Sequence, residues 1–157
     1  MAMTTAGTLL LQTLGVPFTL HPYAYDPDAP RIGLHAAESL GFDPAQTFKT
    51  LMAEVDGRPV CCVVPSDGEV SMKKLATCFS GKSAQRMKVP DAERLTGYKV
   101  GGIGPFGQKR AVPTAFDETA ELYDTIYINA GQRGLLLGIA PADAVRVVDA
   151  KVQDLMA

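Results

Sequence analysis

Apolar residues recur along this chain in short runs whose spacing alternates between helical and extended. Leu9, Leu10 and Leu14 share a helical face behind Thr4 or Thr5, either of which can cap it. Gly15 stands where helices commonly end in left-handed conformation. Val16, Phe18 and Leu20 alternate with Pro17, Thr19 and His21, which predicts a strand. Residues 22–33 hold Pro22, Pro27 and Pro30 and predict a loop long enough to carry function. A short helix fits 35–40, stopped by Gly41, and Asp43-Pro44 followed by Gln46 reads as the capped start of another.

Apolar runs over 51–55 and 59–64 flank Asp56-Gly57, a favoured two-residue hairpin turn. Ser71 caps a predicted helix reaching Phe79, with Leu75, Ala76 and Phe79 on one face. Another short helix fits 90–96 and ends at Gly97; a glycine loop at 101–107 and a strand over 112–116 follow. Runs at 125–130 and 135–140, joined by Gly131-Gln132-Arg133-Gly134, predict a second hairpin. A helix over 141–148 closes the pattern, with Asp149 and Asp154 in the tail. Helices and strands interleave while hairpins recur. The expected fold class is therefore α/β of the α+β type, with a mixed sheet.

Composition narrows this picture. The 157 residues suffice for one domain over 1–157 and leave no room for a second full one. With 15 glycines and 11 prolines, turns are frequent, which disfavours helical bundles. No apolar run approaches the roughly 18 residues of a membrane span, and no basic residue precedes the apolar N-terminal stretch, so no signal peptide is expected. Three cysteines, two of them adjacent, are poor material for a disulfide framework; neighbours on a strand point to opposite faces. A reduced, cytoplasmic protein is expected.

The net charge of −2 conceals an asymmetry. Lys73, Lys74, Lys82, Arg86, Lys88, Arg94, Lys99, Lys109 and Arg110 face only Asp91 and Glu93, giving that segment +7 against −9 elsewhere. Such a segment is either a solvated face or a surface for a polyanion.

Familiar catalytic patterns fail on context. Gly102-Ile103-Gly104-Pro105-Phe106-Gly107 matches G-x-G-x-x-G, but Pro113 forbids the helix that a dinucleotide loop opens. The loop reads either as a strand-to-strand irregularity or as backbone that approaches a ligand oxyanion. Ser71-Met72-Lys73-Lys74 matches S-x-x-K without its companion motifs, so Ser71 is a helix cap. Two histidines and three scattered cysteines without C-x-x-C argue against a zinc site, and His21 is expected to be packed or solvent-facing. Lys49, between Phe48 and Leu51 at an element boundary, is either a partly enclosed cation awaiting an anion or a snorkelling surface lysine.

Seven ordered blocks carry a family resemblance. They are Val16-Pro17-Phe18 with His21 and Tyr23; Ala36-Ala37-Glu38 with Leu40-Gly41; Phe48-Lys49-Thr50-Leu51; Lys73-Lys74-Leu75-Ala76; Thr96-Gly97-Tyr98 running to Gly101-Gly102-Ile103 and Pro105; Gly107-Gln108-Lys109; and Arg133-Gly134-Leu135. Over nearly its full length the chain resembles the YbaK/EbsC family of freestanding aminoacyl-tRNA deacylases, relatives of the editing domain of bacterial prolyl-tRNA synthetase. It looks most similar to the branch that hydrolyses cysteine mischarged onto proline tRNA.

The resemblance implies a single compact domain with a mixed, barrel-like sheet surrounded by short helices, and neither metal nor cofactor. It implies catalytic roles for Lys49, Gly101 and Gly102, with the lysine at the tRNA 3′ end and the glycine loop receiving the substrate carbonyl or terminal ribose. Tyr23, Ile32, Thr50, Gly104, Pro105 and Asn129 would contact substrate. In that branch the substrate's own thiol attacks its carbonyl while the protein holds geometry. Gly104 replaces a serine usual in the family, Asn129 stands where serine is frequent, and Ile32 lies near a position often aromatic; all three bear on selectivity. The implied partners are the tRNA acceptor end and a prolyl-tRNA synthetase. The alternatives are a non-catalytic module that binds either one, or a deacylase with a different amino-acid preference.

Overall fold

In chain order the elements are α1 (Ala6–Thr13), β1 (Thr19–Pro22), α2 (Ile32–Leu40), β2 (Thr47–Val55), β3 (Arg58–Pro65), α3 (Met72–Cys78), β4 (Ala84–Arg86), α4 (Val89–Thr96), β5 (Thr114–Asp117), a 3₁₀ turn (Glu118–Leu122), β6 (Ile126–Gln132), β7 (Leu135–Ile139), α5 (Pro141–Val148) and β8 (Lys151–Gln153). They are those of a computed structural model that describes residues 3–157. The Asp56-Gly57 hairpin forms as expected. Both residues take positive φ, 50° and 81°, as the twist-matched two-residue turn requires.

The eight strands form one mixed sheet in the order β1-β7-β6-β2-β3-β5-β8, with β4 also on β2. The β2–β3, β6–β7, β1–β7 and β2–β4 pairs are antiparallel. The β2–β6, β3–β5 and β5–β8 pairs are parallel. The sheet ends at β1 and β8, so the barrel-like arrangement is open rather than closed.

Alternation along the strands sends side chains into two large cores, and a smaller cluster of Tyr23, Ala36 and Leu136 lies apart. Cys61 and Val63 join Phe48, Met52, Phe116, Ile128 and Leu137 on one face. Cys62 and Val64 join Val55, Leu75 and Leu155 on the other. The adjacent cysteines therefore do part company, and all three thiols are free and buried. Burial pushes the Cys61 thiol up to about 12 and raises the Cys62 thiol as well. Each fully buried large side chain contributes about 1.5–3 kcal/mol of transfer free energy.

Helix ends follow sequence chemistry. Thr5 and Ser71 cap α1 and α3 through their hydroxyls, while Gly41 and Gly97 end α2 and α4 in left-handed conformation. Six expectations shift. Two are element starts: α2 begins at Ile32, inside the expected loop, and β2 begins at Thr47, which places Lys49 within the strand rather than at its boundary. Leu9 and Leu14 are exposed, and α1 buries Leu11 instead. The β1 ladder starts at Thr19, opposite Gly138, so Val16 is buried without being paired. Residues 43–46 make a single turn rather than a helix: Gln46 turns away from a capping box and donates to the Thr125 carbonyl at 2.8 Å. Finally, β4 and β8 are three-residue strands without a hydrophobic alternation of their own; the edges of β2 and β5 impose them.

Candidate active site

The sheet forks along β2. Its Thr47 and Phe48 pair with β6, whereas Ala53, Glu54 and Val55 pair on that same side with β4. Between these contacts β2 lacks a strand partner on this edge, and a cavity of about 370 Å³ opens there. Lys49, Thr50, Leu51 and Met52 form its floor. Asn129, just past the point where β6 leaves β2, forms one wall, and Tyr23, Ile32 and Ala36 form another. Lys49, Thr50, Asn129, Tyr23, Ile32 and Gly101 are thus brought together; Gly102, Gly104 and Pro105 are not among the lining residues.

Packing explains that exclusion. A Cβ on Gly104 would press on the Asn129 carbonyl oxygen of β6, so any side chain at this position requires that backbone to shift. The Gly102 N–H is committed to the Lys99 carbonyl at 2.9 Å, which removes it as an oxyanion donor. Gly101 alone of the loop's glycines faces the cavity. It has φ +93°, and a Cβ there would meet the Tyr25 hydroxyl at 2.5 Å. The loop is held by Tyr98, whose hydroxyl donates to the Phe106 carbonyl at 2.7 Å, and by Arg133, whose Nε donates to the Val100 carbonyl at 2.9 Å.

Lys49 is half-buried and donates to the Gly68 carbonyl at 2.7 Å. Desolvation lowers its pKa first of all; Glu69 opposes the shift, and Arg31 and Arg86 add to it. The buried Thr50 Oγ1, Ser66 Oγ and Asn129 Oδ1 have no hydrogen-bond partner among the described residues, and all three residues line this cavity. Apolar side chains of Phe48, Val89, Ile103 and Leu136 complete it. The lining contains no carboxylate and no histidine. His21 packs elsewhere, its ring 5.2 Å from Phe42 and 5.3 Å from Tyr127. Among the described residues no three His, Cys, Asp or Glu side chains gather as a metal site would require.

Residues 27–147 match the model of the aminoacyl-tRNA editing domain. The chain belongs to the aminoacyl-tRNA editing domain family. It is 35% identical over 127 residues to the "Putative Cys-tRNA(Pro)/Cys-tRNA(Cys) deacylase EbsC" of Enterococcus faecalis, covering 80% of this chain and 77% of the relative. It is 30% identical over 136 residues to a proline–tRNA ligase of Nitratidesulfovibrio vulgaris, but this spans 84% of the chain and only 22% of the ligase. The fold is shared with a crystal structure described as "a putative trans-editing enzyme for prolyl tRNA synthetase", at TM-score 0.81, 20% identity and 99% coverage of both chains.

Several lining residues of this editing domain carry no sequence signal that marks them as site residues. Ser66 follows β3 with no motif around it, and Arg86 was one cation among nine in the basic segment. All nine cations are exposed, but not all are free. Lys74 bonds Asp154 and the Met156 carbonyl, at 2.6 and 2.7 Å, and Arg94 pairs with Asp91. Arg94, Lys109 and Arg110, together with Glu54 and Asp91, line a second groove that shares Met87 with the first cavity. Among the described residues, no helix is long and apolar enough to cross a membrane.

Proposed function

We propose that this protein is a trans-editing deacylase. It hydrolyses the ester between a misattached amino acid and the 3′-terminal adenosine of tRNA, with Cys-tRNA(Pro) as its preferred substrate. The observation that carries this reading is the set of three unpartnered polar atoms, from Thr50, Ser66 and Asn129, opening onto one cavity beside Lys49 in an editing-family chain. Leaving a buried polar atom unsatisfied costs about 1–3 kcal/mol, which a polar ligand offsets.

In this reading the Lys49 ammonium meets a phosphate or ribose hydroxyl at the tRNA 3′ end. The Gly101 N–H meets the oxygen that becomes negative as the carbonyl is attacked. Tyr23, Ile32, Thr50 and Asn129 surround the amino acid. With no carboxylate or histidine in the lining to act as base, the activated ester reacts by being positioned. The substrate thiol loses its proton and attacks the carbonyl carbon. A C–S bond forms, the ester C–O bond breaks, and the ribose oxygen takes up a proton; water then opens the thiolactone to free cysteine. The acceptor stem runs along the groove of Arg94, Lys109 and Arg110. A prolyl-tRNA synthetase is the proposed partner in tRNA selection, the whole of residues 1–157 the editing domain, and the cytoplasm the compartment that suits a tRNA substrate and three free thiols.

The test is to incubate purified protein with tRNA(Pro) charged with cysteine, alanine or serine and to follow loss of the acyl group. Cysteine is expected to leave fastest. Equal rates on all three would replace the substrate thiol with an activated water. Loss no faster than spontaneous hydrolysis for every amino acid would end the deacylase reading.

A further inference from the structure

Three cations and one carboxylate crowd the rim of the cavity, and one short loop engages them all. Arg31, just before α2, and Arg86, at the end of β4, both reach Glu69. Arg31 Nη2 lies 3.6 Å from Oε1, and Arg86 Nη2 lies 3.7 Å from Oε2. Lys49 bonds the carbonyl of the preceding residue, Gly68. The loop is anchored independently of these charges: the Ala157 N–H donates to the Glu69 carbonyl at 2.9 Å, and the Ser71 N–H to the Leu155 carbonyl at 2.8 Å.

These ion pairs have the character of a placeholder. Each arginine touches a different carboxylate oxygen through one nitrogen, well beyond the roughly 2.7–2.9 Å of a charge-assisted bond. Arg31, Arg86 and Glu69 are 51%, 60% and 64% exposed, so solvent screens both pairs. Guanidinium forks are built to grip phosphate bidentately. One carboxylate among three cations also leaves this rim with excess positive charge.

We propose that Arg31 and Arg86 form a subsite for the phosphodiester adjoining the terminal adenosine of an RNA 3′ end, and that Glu69 fills this subsite in the free protein until RNA displaces it. The inference rests on reading the cavity as an aminoacyl-tRNA site. It gives Glu69 a sign opposite to its neighbours: removing this carboxylate strengthens binding. Such a weak internal competitor turns away small anions, whereas a polynucleotide that also meets Lys109 and Arg110 overcomes it.

The experiment uses uncharged C-C-A trinucleotide and, separately, adenosine as probes, titrated against the full chain at low and high salt. The variants are Glu69→Gln, Arg86→Gln, their combination, and Asp67→Asn. Asp67 is exposed on the same loop and makes no ion pair among the described residues, so it reports the general effect of losing one negative charge. Glu69→Gln is expected to tighten C-C-A roughly 3- to 10-fold at low salt. Asp67→Asn should change it by less than about 2-fold. Arg86→Gln should weaken binding and remove most of the gain in the combined variant. Adenosine, which lacks the phosphate, should not respond. Weakening by Glu69→Gln, a gain no larger than that of Asp67→Asn, a gain that persists without Arg86, or adenosine following the same pattern would each overturn the proposal. Because the RNA carries no amino acid, the two readings fail separately. Flat affinities with normal deacylation sink the Glu69 inference alone; the expected affinities with no deacylation sink the deacylase reading alone.

Discussion

The Lys49 ammonium is bonded to the Gly68 carbonyl oxygen at 2.7 Å and meets no carboxylate in an ion pair among the described residues. A half-buried cation satisfied by one neutral oxygen keeps donors free for an incoming anion. Lys49→Ala is expected to leave the melting temperature near that of the parent and to lower single-turnover deacylation roughly 10- to 150-fold, the value of about 1.5–3 kcal/mol for one charge-assisted bond. Lys49→Arg should restore it only in part, because the wider planar fork cannot approach as a point charge. Near-parental turnover of Lys49→Ala would remove Lys49 from the site.

The pH response follows from burial. Desolvation holds the Lys49 pKa below the ordinary lysine value, with Glu69 and the Cys62 thiol opposing the shift and Arg31 and Arg86 adding to it. Between the lowered and the ordinary value the unfolded chain keeps a proton that the folded chain has released, so this group's contribution to stability rises with pH across that window. Ammonium-dependent turnover falls across the same window. After subtraction of spontaneous ester hydrolysis, the alkaline limb of the rate profile should lie below the lysine range, and Glu69→Gln should move it lower still. An unmoved limb would mean that another group controls it.

Thr50→Val and Ser66→Ala remove hydroxyls that bond nothing among the described residues. An unpartnered buried polar group costs about 1–3 kcal/mol, so both changes should hold or raise thermal stability. If those atoms serve the substrate, each should also lower deacylation by about 5- to 150-fold. Stability that drops while activity holds would identify ordinary core positions.

Gly101→Ala combines a left-handed backbone with a contact at 2.5 Å from the Tyr25 hydroxyl. A destabilisation of at least about 1 kcal/mol is expected, together with loss of activity. Tyr25→Phe in the same chain should recover stability only partly, since φ remains +93°. An unaffected melting temperature in Gly101→Ala would show that the loop can relax away.

Local chemistry made much of the fold legible. Asp56-Gly57 fixed a hairpin, Thr5 and Ser71 fixed helix starts, and Gly41 and Gly97 fixed helix ends, because each acts through its own backbone or its nearest neighbours. Alternation likewise put Cys61 and Cys62 on opposite faces before any partner was known. Residues 43–46 depart from the helix their capping pattern predicts because that pattern is short-range, whereas the parallel pairing of Thr47 and Phe48 with β6 draws the chain into a strand.

The sequence by itself determined the helix caps, the hairpins, the mixed character of the sheet, the family and the prominence of Lys49. Tertiary structure alone decided that β2 forks between β6 and β4, and hence that a cavity exists there. It also decided that Gly101 faces this cavity while Gly102 and Gly104 are packed away, and that Ser66, Arg86 and Glu69 stand beside Lys49. Caps and turns are set by residues within about four positions of one another. The site is assembled from β2, β4, β6, β7, α2, α4 and the loops between them, whose approach depends on strand pairing and packing far apart along the chain, which no local pattern encodes.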